Sequence, residues 1–266
     1  MNQRVRRRNA PRELKIRATT AAVACLAVLG LMLGAPPALA ASPELVLWAW
    51  ERAEDLRFAH GAQVAVQTGF VALVGGRIVS RGRRFALKAA AADVTTAVVH
   101  VQIEHRTPLI WSPAQRVLLA RRVIELAQPA RFGRVQIDFE VRASERQILL
   151  DLLQDVRAGL PPRTFLSMTA LASWCETETW LTGAPVDEIV PMLFRMGPAA
   201  RPLKAKLARG GDFSQQGCRS AYAVSVDEPL ARTPPGRRVY LFSPRRWTAR
   251  DFETIAGKGA SWRAAD

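Results

Sequence analysis

From residue 44 onward, apolar stretches of strand length alternate with stretches whose apolar residues recur at helical spacing. Strand patterning falls on residues 45–50, 63–73, 96–104, 133–140, 164–171, 186–194, 221–227 and 237–242. The helical segments announce their own starts. Ser112-Pro113-Ala114-Gln115 reads as a capping box with proline at the first helical position, and Val117, Leu118, Val123, Ile124 and Ala127 follow at helical spacing. Ser144-Glu145-Arg146-Gln147 reads as a second box ahead of Ile148, Leu149, Leu152, Leu153 and Val156. Gly159 and Pro161-Pro162 end that helix, and Thr248 with Asp251 caps a short final one. Within residues 76–88 the pattern predicts a hairpin turning near Arg81-Gly82, an excursion from the main sheet. Strands alternating with helices are the signature of βαβ units and a parallel sheet. Eight strand-like runs predict an α/β fold, a (β/α)8 TIM-like barrel forming a single domain over residues 41–266. An open doubly wound sheet is the alternative, but neither a G-x-G-x-x-G nor a P-loop supports it.

The first forty residues follow another pattern. Arg4, Arg6, Arg7, Arg8, Arg12, Lys15 and Arg17 precede a charge-free apolar run over 18–35, and Ala38-Leu39-Ala40 supplies a small-x-small cleavage site. Residues 1–40 are therefore expected to be a signal peptide cut after Ala40, with an uncleaved membrane anchor as the alternative. The domain is expected to be exported, periplasmic or secreted. Without that segment the formal charge falls from +15 to +9, and the remaining basic residues form no run longer than a pair. Such scatter argues against nucleic acid and for adhesion to an anionic envelope surface. Cys175 and Cys218 are the two cysteines beyond the leader, an even pair expected to form a disulfide in an oxidising compartment and to stiffen the barrel mouth. No C-x-x-C or H-x-x-x-H spacing indicates a metal site. A monomer without cofactors is expected.

Candidate chemistry concentrates on two strands. Side chains alternate between the faces of a strand, so Gln136, Asp138 and Glu140 lie opposite Val135, Ile137 and Phe139. His100, Gln102 and Glu104 lie opposite Val99, Val101 and Ile103 in the same way. In a barrel the apolar face meets the helices, which sends both polar sets into a lumen normally packed with branched apolar residues. Unpaired carboxylates there are costly, so the pattern implies a site at the C-terminal mouth, or else a paired polar plug without catalysis. Other strand ends add Glu51 beside Trp48 and Trp50, Ser167 with Thr169, and Ser225 with Asp227. Trp174, Trp180, Phe194 and Trp247 lie at or just beyond later strand ends. Carboxylates combined with aromatic platforms suit a pyranose, which has one C–H-rich face and a rim of hydroxyls. A glycan or polysaccharide ligand is thus expected, and no G-x-S-x-G, H-E-x-x-H or kinase signature competes.

Trp48-Ala49-Trp50-Glu51-Arg52, Val135 to Glu140, Ala170-Leu171-Ala172-Ser173-Trp174-Cys175, the run from Val186 through Met192, Phe194 and Arg195 to Gly197, and Val226-Asp227-Glu228-Pro229 form a distinctive set. As a set they resemble an exported bacterial family catalogued as domain of unknown function 3142. More distantly, Ile137-Asp138-Phe139-Glu140 is similar to the fourth-strand D-x-E of chitinase-like, family eighteen glycoside hydrolases. That resemblance implies Glu140 as general acid and Asp138 as the residue orienting a substrate N-acetyl group that acts as nucleophile. Met192-Leu193-Phe194 stands where those enzymes have M-x-Y, and Gln136 where they have an aspartate. The implied contacts to substrate are Gln136, Glu104, Gln102, His100, Glu51, Trp50, Trp174, Phe194, Met192, Asp227 and Trp247. The other arrangement is a two-carboxylate mechanism with Glu140 as acid and Glu104 or Asp227 opposite. Separations of about 5–5.5 Å would then retain the anomeric configuration and about 6.5–9.5 Å invert it.

Overall fold

The computed structural model describes residues 44–230 and 234–261; the expected signal peptide, residues 1–40, lies outside them. Eight strands form the frame: Leu45–Ala49 (β1), Gln63–Val74 (β2), Val94–Ile103 (β3), Arg134–Phe139 (β4), Phe165–Leu171 (β5), Glu188–Met192 (β6), Ala221–Ser225 (β7) and Arg238–Phe242 (β8). Each pairs in parallel with the next, and β8 pairs with β1 through Val46 and Tyr240, which closes a (β/α)8 barrel. Helices Pro113–Ala127 (α1), Arg146–Gly159 (α2), Ala200–Ala208 (α3) and Ala249–Ser261 (α4) follow β3, β4, β6 and β8. Only a five-residue helix, Ala172–Glu176, follows β5, and the first two connections carry short strands or a single 3-10 turn instead of a helix.

The pleat sorts the core into two layers. Leu47, Val64, Val99, Ile137, Met168, Ile189, Val224 and Leu241 face outward into a large cluster shared with the helices. Val46, Trp48, Ala65, Val98, Val190, Met192, Ala223 and Tyr240 face inward and fill the lumen. At the N-terminal end of the barrel a charged plug closes the floor. Buried Glu188 accepts from the Tyr240 hydroxyl at 2.8 Å and from Arg238 at 2.7 Å, with Arg134 at 3.5 Å. Arg238 also reaches Glu44 at 2.5 Å.

The structure redraws three local expectations. The hairpin turns at Gly75-Gly76 rather than near Arg81-Gly82. β2 outruns β1, and beyond a bulge at Thr68 its residues Gly69 to Val74 pair antiparallel with the strand Arg77–Gly82. Gly75 takes the left-handed backbone, φ +56°, that lets the chain double back at once. In α1, Ser112 accepts the Gln115 amide at 3.4 Å, but the Gln115 side chain is buried rather than reaching back, so only half of the box forms. Leu119, Ala120, Val123 and Ala127 are the buried face, while Val117 is 67% exposed. At about 100° per residue, Val117 points some 200° away from Leu119. Before α2 the cap lies two residues earlier than Ser144: the Glu145 carboxylate accepts the Arg142 amide at 2.8 Å across a 3-10 turn. The five apolar residues expected to be buried on α2 are buried.

Cys175, in the helix after β5, is bonded to Cys218 in the 3-10 turn Gln216–Cys218 before β7, with Cα atoms 5.9 Å apart. Both are fully buried in the outer core, so the bond staples two connectors outside the barrel rather than stiffening its mouth. Two measurements test this architecture. Cys175→Ser with Cys218→Ser should cost about 3–4 kcal/mol in denaturant unfolding, since the bridge closes a long loop in the unfolded chain. Peptide mapping without reductant should find the two linked. Glu188→Leu should cost about 3 kcal/mol, because it strands two largely buried guanidinium groups, and a smaller loss than a surface substitution gives would refute the plug.

Candidate functional site

β3 and β4 are held in register with Val98 beside Gln136 and His100 beside Asp138, which stacks their polar residues in layers. Gln136 lies deepest and is fully buried. Its side-chain oxygen accepts the Trp48 indole N–H at 2.7 Å, and its amide donates to Ser167 Oγ at 3.1 Å. One layer higher, Asp138 is 5% exposed. Thr169 Oγ1 donates to its Oδ1 at 2.7 Å, and His100 Nδ1 donates to its Oδ2 at 2.6 Å. Glu140 follows the last residue of β4 and is exposed.

The charges shape one another. Loss of hydration, reinforced by the Asp138 carboxylate, holds the Glu140 pKa above its ordinary value, while His100 and Arg195 pull the other way. For His100, burial works against the imidazolium. The hydrogen bond to Asp138, the charges of Asp138 and Glu140, and the Gln102 side chain outweigh it and raise the pKa. The mouth therefore carries a carboxyl that keeps its proton longer than usual, beside an imidazole whose proton affinity the Asp138 carboxylate raises.

A wall of rings surrounds this group. His100 stacks on Phe70 at 5.6 Å, and Trp50 presents its edge to His100 at 6.2 Å. Phe194 lies flat on Phe242 at 4.9 Å, with Trp48 edge-on to both and Met192 in the same cluster. Trp50 Nε1 is buried and has no hydrogen-bond partner among the described residues. The hairpin buttresses the wall from one side. Arg81 sits 5.0 Å over the Phe70 ring and pairs with Glu51 at 2.6 Å. Arg83 spends its guanidinium on the backbone carbonyls of Ala49, Trp50, Gln67 and Arg52.

Of the residues singled out in the sequence, Asp138, His100, Gln136, Trp50, Phe194, Met192 and Glu140 gather at the upper lumen and mouth. Others sit elsewhere. Glu51 is committed to the hairpin; burial works against its charge, but the Arg84 amide with Arg81 and Arg83 holds its pKa low. Trp174 is 3% exposed in the outer layer, edge-on to Trp180 at 4.9 Å. Trp247 is buried outside the lumen and donates to the Trp48 carbonyl at 2.9 Å. Glu104 accepts the Arg106 amide at 3.1 Å, and Asp227 accepts the Ser225 hydroxyl. Gln102 is exposed. Among the described residues no group of three or more His, Cys, Asp or Glu could hold a metal ion.

Four residues at the mouth were not among the candidate site residues read from the sequence: Phe70, Arg81, Arg195 and Phe242. Phe70 and Arg81 come together only because β2 bends beyond Thr68, which no periodicity displays. Arg195 did carry a signal, a lone arginine directly after a strand end and two residues before a glycine. Nuclear magnetic resonance titration checks the central pair. The His100 imidazole should titrate above 6.5, and Asp138→Asn should bring it down; no response would refute the pairing.

No family model matches the sequence, so the likeness to domain of unknown function 3142 is not reproduced by one, and no curated protein matches it. Solved structures do. The chain is similar to a family GH18 chitinase from Chromobacterium violaceum with a TM-score of 0.53 at 14% identity, covering 85% of this chain and 84% of that one. It is similar also to a structure described as chitinase A from Streptomyces coelicolor, with a TM-score of 0.52 at 11% identity, covering 85% of this chain and 99% of the other. At these identities the likeness is one of fold: the barrel is of the kind found in those chitinases.

Proposed function

We propose that this protein is an exported, glycoside-hydrolase-like barrel acting on a cell-envelope or extracellular glycan. The observation that carries the proposal is Glu140, an exposed carboxyl at the barrel mouth whose proton is held by lost hydration and by the neighbouring Asp138. A general acid needs that combination of access and raised proton affinity. Glu140 protonates the glycosidic oxygen as the bond breaks. Asp138, fixed by Thr169 and His100, orients the sugar beneath it. Trp50, packed edge-on against Phe242 at the mouth, offers its ring to the C–H side of a pyranose. The fold likeness to chitinases makes N-acetylhexosamine polymers the first substrates to try. The disulfide suits an oxidising compartment, and among the described residues no helix is long and apolar enough to cross a membrane.

A second reading has its own support. Both Asp138 oxygens are already engaged, and Phe194 brings no hydroxyl to the site. A barrel so arranged binds glycan without cleaving it.

The readings separate by experiment. If Glu140 is the acid, Glu140→Gln should lower release of reducing ends by about 10²–10⁴-fold with thermal unfolding unchanged. Undiminished release would remove Glu140 from that role. Because the protonated form is the active one, the rate should fall as pH rises through a Glu140 pKa above 4.5. Affinity on a glycan array with no turnover by the unaltered protein would establish the binding-only reading.

A further inference from the structure

Resting on the reading of the mouth as a glycan site, we infer that Arg195 is a specificity-determining residue that binds the carboxylate of an acidic sugar unit beside Glu140. The backbone is the first argument. Arg195 adopts the left-handed region, φ +52°, although it is not glycine. Such a conformation costs about 1–2 kcal/mol and persists only where the surroundings impose it. They do so here. The Arg195 amide donates to both oxygens of Glu228, at 3.0 and 3.3 Å, and Lys204 stands 3.6 Å from the same carboxylate. A loop pinned at its amide sends the side chain in a fixed direction.

That direction is toward the rings. The guanidinium carbon lies 5.4 Å over the centre of the Phe242 ring, whose other ring neighbours are Phe194, Trp48 and Trp50. The aromatic face steadies the cation while leaving its N–H fork free in its own plane. Arg81, the other guanidinium set over a ring at the mouth, spends its charge on Glu51. Among the described residues, Arg195 has no ion-pair partner. It is nevertheless near enough to Glu140 to draw down that carboxyl's pKa, which opposes the proton retention a general acid requires. An arginine whose only effect was on Glu140 would impair the site. One that is neutralised by a bound carboxylate would not, and the fork geometry suits a carboxylate in a bidentate pair.

The test is calorimetric titration of the full chain with two oligosaccharides. One is a neutral tetramer of N-acetylglucosamine; the other is the same tetramer with a carboxylate ether on alternate sugars. The acidic tetramer should bind about tenfold more tightly at low salt, the gain of one charge-assisted contact. Arg195→Gln should erase that preference by weakening the acidic tetramer about tenfold, while Arg195→Lys should retain part of it. Equal binding of the two tetramers, or a preference that survives Arg195→Gln, would overturn the role of Arg195 and leave the glycan site standing. Failure of both tetramers to bind would overturn the glycan site and this inference together.

Discussion

Every second side chain of a closed eight-stranded barrel is confined to an interior that water does not reach, so a polar group placed there has to find its partner on another strand. This constraint organises the molecule from floor to mouth. On the floor, Glu188 of β6 is surrounded by Arg134 of β4 with Arg238 and Tyr240 of β8. At mid-height, Gln136 of β4 bridges Trp48 of β1 and Ser167 of β5. Above it, Asp138 ties His100 of β3 to Thr169 of β5. Each link crosses between strands, so the same bonds that satisfy buried groups also fix where the upper residues stand.

The pairing ends where water returns. Glu140 and Arg195 both stand at the mouth, each anchored by backbone rather than by a direct ion pair between them. Glu140 inherits its position from β4, and Arg195 from a loop whose amide is held by Glu228. The hairpin that leaves β2 adds a third support by pressing Arg81 onto Phe70, and Phe70 onto His100. It stands on the side of the barrel where the first two connections lack helices, and Arg83 seals its root against four carbonyls.

The period-two alternation and the helix-start signals were enough to read the eight strands, the barrel class and the inward set Gln136, Asp138 and His100, because each depends on near neighbours in the chain. The cysteine pair was legible too, since beyond residue 40 only one partner was on offer. What local pattern could not contain was which partner each inward group would choose. Glu51 went to the hairpin and Trp247 to the outer core because a partner distant in sequence lay nearer in space, while Trp174 packed on Trp180 and Glu104 turned back to its own loop. The phase of α1 and the place of the hairpin turn escaped for the same reason: a buried face depends on what packs against it, and a turn depends on where the neighbouring strand stops. By itself, then, the sequence determined which residues face inward, through the geometry of the strand. Only the tertiary structure decided which of them meet, because barrel closure brings together residues as far apart as Trp48 and Gln136.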